Sequence, residues 1–281
     1  MGERLDDVGL AVAAVEAGAA VVREMYGTAV VRHGKVGTDF ATDADLAAER
    51  AILGVIEGAR PGDAFVGEEY GARGESTRRW LVDPLCGTLN FAARTPLFSV
   101  NVALQVDGET AVAAVADPSS GEIFWTDGQA AWVRHHGADA PAQHHGADLP
   151  TQHHGADLPL HPSAESRLVD VNLDPISDGG FLGSRLLTDE VFRKTFAQRV
   201  LSTTLAVAWV AAGRRTAYVT DGNLRDSVHF TAGLALCQAA GCIVTDLRGN
   251  PLHSGNGVIA AADTETHAAL LEIITRHLPA S

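Results

Sequence analysis

Apolar residues recur at helical spacing from Leu5 to Met25, and Gly27 is placed to stop the turn. A second helical stretch runs from Leu46 to Ile56, with Thr42 or Asp43 able to cap its first amides. The period then shortens. Ala64-Phe65-Val66 predicts a short strand that enters Gly67-Glu68-Glu69, and Arg79 to Val82 predicts a strand that delivers Asp83. Phe98 to Val106 and Thr110 to Ala116 read as successive strands joined by an Asp107-Gly108 turn, and Gly121 to Thr126 and Ala130 to Val133 continue the antiparallel run.

That pattern breaks at His135. Three near-copies of a nine-residue unit follow, HHGADAPAQ, HHGADLPTQ and HHGADLPLH. Units this rich in Gly, Pro and Asp bury no core, and three copies are too few for a solenoid. Residues 135–162 therefore read as a surface insertion between an N-terminal α+β half (1–134) and a C-terminal α/β half (163–281). The paired histidines can collect Ni²⁺ or Zn²⁺ adventitiously. Beyond the insertion, strands are predicted at Arg167–Asp170, Thr216–Val219, Cys242–Thr245 and Gly257–Ala261. Helices are predicted at Asp189–Phe196, Thr203–Ala212, Ala232–Ala240 and Glu265–His277. The class is α/β (α+β).

Composition narrows the function. The chain has 281 residues, is 46% hydrophobic and 20% charged, and carries a net charge of −14. That acidity argues against nucleic acid and against an anionic membrane surface as partners; a small-molecule substrate is the partner expected from the motifs below. No apolar run reaches the ~20 residues of a membrane span, and the first residues lack a signal-peptide pattern. Three cysteines, Cys86, Cys237 and Cys242, fit a reducing cytoplasm without disulfides. Cys237 and Cys242 read as packing residues, and Arg214-Arg215 as a solvated loop or a contact to an anionic substrate.

Several motifs occur in an order that resembles the inositol monophosphatase-like phosphatases. They are Ala41-Thr42-Asp43, Gly67-Glu68-Glu69, Asp83-Pro-Leu-Cys86-Gly87-Thr88 with Asn90-Phe91, Val228-His229-Phe230-Thr231-Ala232-Gly233, and Cys242 to Asp246 with Val258 to Ala261. The resemblance implies a layered α-β-α-β-α sandwich and a homodimer. It also implies Mg²⁺ held by Glu69, Asp83, the Leu85 carbonyl and two further Asp residues, with Thr88 and Asp43 orienting the attacking water.

Both further Asp residues are replaced. Cys86 stands at one position and His229 at the other, with Asp226 three residues earlier as a rival for the second. Mg²⁺ prefers oxygen ligands in octahedral array, so these changes alter the chemistry. Three readings follow. The favoured one dispenses with a cofactor: Cys86 is nucleophile, His229 general base, Asp83, Glu69 or Asp226 the orienting carboxylate, and the Gly87 and Thr88 amides an oxyanion hole, for acyl transfer, hydrolysis or ring closure. In it a helix opening at Gly87-Thr88 and a neighbouring His229 lower the thiol pKa. The second is a phosphomonoesterase of a sugar or inositol phosphate, with Mg²⁺ or Zn²⁺ at Glu69, Asp83, Leu85, Cys86 and His229. The third is a catalytically silent ligand-binding protein.

Overall fold

Helix α1 (Asp7–Met25) starts where the Asp6 carboxylate accepts the Gly9 amide, and it buries Leu10, Ala14, Val15 and Val22 along one side. Strands β1 (Arg32–Gly34) and β2 (Phe40–Thr42) form a small antiparallel ribbon that leads into α2 (Asp43–Ala59). Thr42 caps α2, and Asp45 reaches back to the Thr42 amide, so a capping box starts the helix. The computed structural model describes residues 5–35, 40–135, 157–174 and 182–279.

A mixed sheet follows. Its strands are β3 (Ala64–Gly67), β4 (Gly71–Arg73), β5 (Arg78–Cys86), β6 (Ser99–Val106), β7 (Glu109–Asp117), β8 (Glu122–Thr126), β9 (Ala131–His135) and β10 (Leu158–Pro159), with helix α3 (Thr88–Ala92) between β5 and β6. They lie in the order β10-β9-β8-β7-β6-β5-β3-β4, antiparallel except where β3 runs parallel to β5. The second half of the chain adds β11 (Leu168–Val171), α4 (Leu182–Thr188), α5 (Glu190–Thr195), β12 (Ala197–Val200), α6 (Leu205–Ala211), β13 (Ala217–Thr220), α7 (Thr231–Ala239), β14 (Ile243–Thr245), β15 (Val258–Ala261) and α8 (Thr264–Thr275). Its five strands are ordered β12-β11-β13-β15-β14.

Side-chain alternation sets the layers. On β6, Val100, Val102 and Leu104 face α1 and α2, whereas Ala103 faces α6 and α7. On β13 and β15, Tyr218, Val258 and Ala260 face α6 and α7 from the other side. Their neighbours Ala217, Val219, Ile259 and Ala261 face α4, α5 and α8. The stack is therefore helices, sheet, helices, sheet, helices, the α-β-α-β-α arrangement that the resemblance implied. Among the described residues no helix is long and apolar enough to cross a membrane.

Most of the repeat, residues 136–156, lies outside the described residues. Its flanks belong to the sheet: His135 ends β9, and Leu158 and Pro159 pair with Val133 and Trp132. Arg214 and Arg215 are structural and solvate no loop. Arg214 bonds both oxygens of buried Glu122 and lies over Phe124, while Arg215 bonds Asp170 and lies over Trp209. Cys237 and Cys242 are buried, as packing residues would be.

Candidate active site

Strand β5 ends in an irregularity that fixes the centre of the site. Asp83 pairs with Asn101 and Cys86 with Ser99, and the register shifts between them. The chain then turns through Gly87 at φ 105°, where a Cβ would lie 2.7 Å from the Leu97 carbonyl oxygen, so glycine is required. Helix α3 starts at Thr88. Asp83 is fully buried; its Oδ1 accepts the Leu85 amide at 3.1 Å, and its Oδ2 takes the His229 Nδ1 hydrogen at 2.7 Å.

His229 arrives from the second half of the chain, on the turn before α7, and its side chain is 42% exposed. One ligand atom each from Asp83, Cys86 and His229 lies within 4.8 Å of the others. The start of α6 closes the group from behind. Cys86 Sγ accepts the Thr204 amide at 3.3 Å and the Thr204 hydroxyl at 3.0 Å, while Asn101 Nδ2 donates to Thr204 Oγ1 at 2.9 Å. Asp226 lies elsewhere. It takes Gln105 Nε2 at 3.0 Å and Arg79 Nη2 at 3.1 Å, so His229, not Asp226, joins Asp83 and Cys86.

Two further expectations shift by one or two residues. Thr88 Oγ1 donates to Asp45 at 2.9 Å and lies 3.1 Å from the Leu85 carbonyl oxygen. Asp43, expected as its partner, bonds His33 at 2.7 Å on the exposed side of the turn. The reason is helical: Asp43 and Asp45 are two residues apart and cannot share a face. The signal for Asp45 was present in Thr42-x-x-Asp45, a capping-box spacing, followed by Glu49 one turn on.

Glu69 was expected beside Asp83, but Glu68 stands there. The Glu68 amide bonds Val82 O at 3.1 Å, continuing the β3–β5 pairing, and its Oε2 lies 3.9 Å from His229 Nδ1. Lys35 Nζ spans both glutamates, 2.8 Å from Glu68 and 2.7 Å from Glu69. Glu49, buried on α2, accepts the Glu69 and Tyr70 amides at 2.8 and 2.9 Å and so holds the turn that carries Glu68. Neither Lys35 nor the Glu68 orientation was readable from periodicity, because strand register sets both.

The local charges are mutually compensating. Burial alone would depress His229, but the Asp83 carboxylate overrides it and holds the imidazole well above its ordinary value. Burial alone would raise Asp83, and the His229 cation brings it below the ordinary range. Glu68 is pushed up to about 8, first by burial and then by Asp83. Burial raises Asp45 to about 6 against the hydrogen bonds from Thr42 and Thr88. Burial and the Asp83 charge also push the Cys86 thiol up, outweighing His229 and Thr204. The lowered thiol pKa expected of a Cys86–His229 dyad is thus reversed in sign.

Comparison with known proteins places this geometry. The model of the inositol monophosphatase family matches residues 5–278. An inositol-1-monophosphatase of Mesorhizobium japonicum is 31% identical over 249 residues, covering 86% of this chain and 85% of that one. The Nus factor SuhB of Escherichia coli K12 is 31% identical over 268 residues, 93% of each. Among solved structures, the Thermotoga maritima IMPase superposes with a TM-score of 0.72 at 22% identity, covering 94% of both chains. The SuhB protein of Bartonella henselae gives 0.76 at 24%, covering 96% of this chain and 98% of that one.

Catalysis in the matched family depends on Mg²⁺, which overturns the expectation of a site that needs no cofactor. The residues present do not, however, suit Mg²⁺ itself. That ion takes hard oxygen ligands. Here Asp83 is paired with His229, Lys35 already bonds both Glu68 and Glu69, and the remaining donors are a sulfur and an imidazole nitrogen.

Proposed function

From the premise that this chain belongs to the inositol monophosphatase family, we infer that it is a hydrolase of small phosphomonoesters, a sugar or polyol phosphate. The observation that carries this reading is the Thr88–Asp45 hydrogen bond, with Thr88 Oγ1 also on the Leu85 carbonyl two residues from Asp83. A water held on Thr88 Oγ1 would pass a proton through the hydroxyl to Asp45, leaving hydroxide to attack phosphorus as the ester P–O bond breaks and the departing alkoxide takes up a proton from solvent. With its pKa raised to about 6, Asp45 is ionised at neutral pH yet basic enough to accept that proton. Lys35 and His229 offset the buried carboxylates, which would otherwise repel a phosphate dianion.

The reading extends to a homodimer, supported by the family resemblance alone, and to a cytoplasmic location, supported by three unpaired thiols. Light scattering of the purified chain tests the first. The reaction itself is tested by inorganic phosphate release from a panel of sugar and polyol monophosphates. Thr88→Ala is expected to lower turnover by about 10² or more, the scale of lost proton transfer. Release that Thr88→Ala leaves intact would remove the reading.

A further inference from the structure

The disagreement between a Mg²⁺-dependent family and a sulfur–nitrogen donor set has a chemical resolution within this chain. We propose that Asp83, Cys86 and His229 form a binding site for a borderline divalent transition ion of the Zn²⁺ class, in place of Mg²⁺. The inference deepens the function proposed above and rests on it only for the use to which the ion is put.

Donor type comes first. Thiolate and imidazole select Zn²⁺ over Mg²⁺, and three protein ligands with one open position is the pattern of catalytic zinc. Spacing comes second. Zinc bonds of about 2.0 Å to nitrogen and oxygen and about 2.3 Å to sulfur, in a tetrahedron, separate the ligand atoms by roughly 3.3–3.8 Å. The three donor atoms already lie within 4.8 Å of one another. His229 Nδ1 and Asp83 Oδ2, at 2.7 Å, need to part by only about half an ångström to admit an ion between them.

The surroundings of the sulfur supply an independent argument. An amide N–H can only donate, so Cys86 Sγ accepts from the Thr204 amide. Asn101 Nδ2 donates to Thr204 Oγ1, which turns the Thr204 hydroxyl hydrogen toward the same sulfur. Asn101 and Thr204 are buried, at 0% and 3% exposure, so water does not compete for these donors. Two hydrogen bonds aimed at one sulfur stabilise negative charge on it and orient it, as outer-shell donors do at thiolate–metal sites. A cysteine serving only as packing has no use for them. Asp83 Oδ1 is fixed in turn by the Leu85 amide, leaving Oδ2 for the ion. Binding displaces two protons to solvent, one from Cys86 and one from His229, and forms one bond each to sulfur, nitrogen and oxygen.

Cobalt is the probe, because a cobalt–thiolate bond adds a near-ultraviolet charge-transfer band that nitrogen and oxygen ligands do not produce. The full chain, stripped with chelator, is titrated with Co²⁺ and then challenged with Zn²⁺. The expected result is a charge-transfer band that saturates at one equivalent, is bleached by Zn²⁺ and is absent in Cys86→Ser. His229→Ala is expected to weaken Co²⁺ binding by about ten- to a hundredfold. Any Co²⁺ taken up by the histidine pairs of the repeat has no sulfur ligand and adds no such band. In thermal melts Zn²⁺ should raise the midpoint of the wild-type chain, and Mg²⁺ at the same free concentration should not. The double variant Cys86→Asp/His229→Asp should reverse that order. The proposal is overturned by a cobalt spectrum without the band, by a band that survives Cys86→Ser, or by equal stabilisation of the wild type by Mg²⁺. Because the comparison of Zn²⁺ with Mg²⁺ is made on the wild type itself, a variant that fails to fold does not rescue it. A bound metal without phosphate release would remove the proposed reaction and leave the site. Phosphate release without the band would do the opposite.

Discussion

Asp43 and Asp45 lie two positions apart, and only Asp45 meets Thr88. Asp45→Asn is expected to lower kcat by about 10² or more, within the range of lost general-base catalysis. In the wild type, activity should rise with pH as a carboxylate with a pKa of about 6 ionises, and that rising limb should vanish in Asp45→Asn. Asp43→Asn should preserve both rate and profile, and a pH–rate series on the three proteins checks all of this. The motifs made Asp83, Cys86 and His229 legible in the chain, because each sits at a fixed offset from Gly87-Thr88 or Ala232-Gly233. Asp45 and Glu68 were missed for a physical reason. Which of two nearby carboxylates turns inward depends on helix phase and strand register, and a short motif records neither.

At the scale of elements, the turn from β5 into α3 does most to place the chemistry. Gly87→Ala puts a Cβ 2.7 Å from Leu97 O in a left-handed conformation. It should cost at least about 2 kcal/mol in urea unfolding. Glu49 plays a matching part from α2. A glutamine there keeps one carbonyl acceptor, so one of the Glu69 and Tyr70 amides loses its partner. Glu49→Gln should cost about 1–2 kcal/mol by the same measurement. Gly67 approaches so closely that a Cβ there would overlap Glu49 Oε1, which ties this cap to the end of β3. The long capped helices and the meander were legible because their periodicity runs for several turns or strands. Strands β1, β4 and β12 were not, since three or four mostly exposed residues carry no readable period.

At the scale of the molecule, the middle helical layer makes the site a joint product of the two halves. Cys86 and Asp83 come from the first sheet, while Thr204 and His229 come from the starts of α6 and α7. A second tie lies further out, where Arg214 reaches from the end of α6 to Glu122 on β8. Burial raises the Glu122 pKa and Arg214 more than reverses it, so the carboxyl is depressed in the folded chain. The stabilisation is therefore present above the ordinary carboxylate range and fades as pH falls through the lower folded value. Glu122→Gln should cost about 3 kcal/mol near neutral pH, as expected for breaking a buried pair. Thermal melts should show the gap between wild type and variant narrowing below about pH 4. The layer order was legible through resemblance and not through periodicity, because alternation assigns residues to faces without saying which faces meet.

The chain leaves the eight-stranded sheet at His135 and rejoins it at Leu158, opposite Val133. Backbone pairing pins departure and return side by side, whatever length of chain runs between them. Losing one nonapeptide unit alters the closure entropy of that excursion by only about half a kcal/mol. The junction stands four strands from β5, roughly 19 Å from the reacting centre by strand spacing. A change in copy number should therefore leave stability and turnover almost unchanged. Replication slippage is then free to add or delete units, and closely related strains should differ in repeat number while agreeing at Asp83, Cys86 and His229.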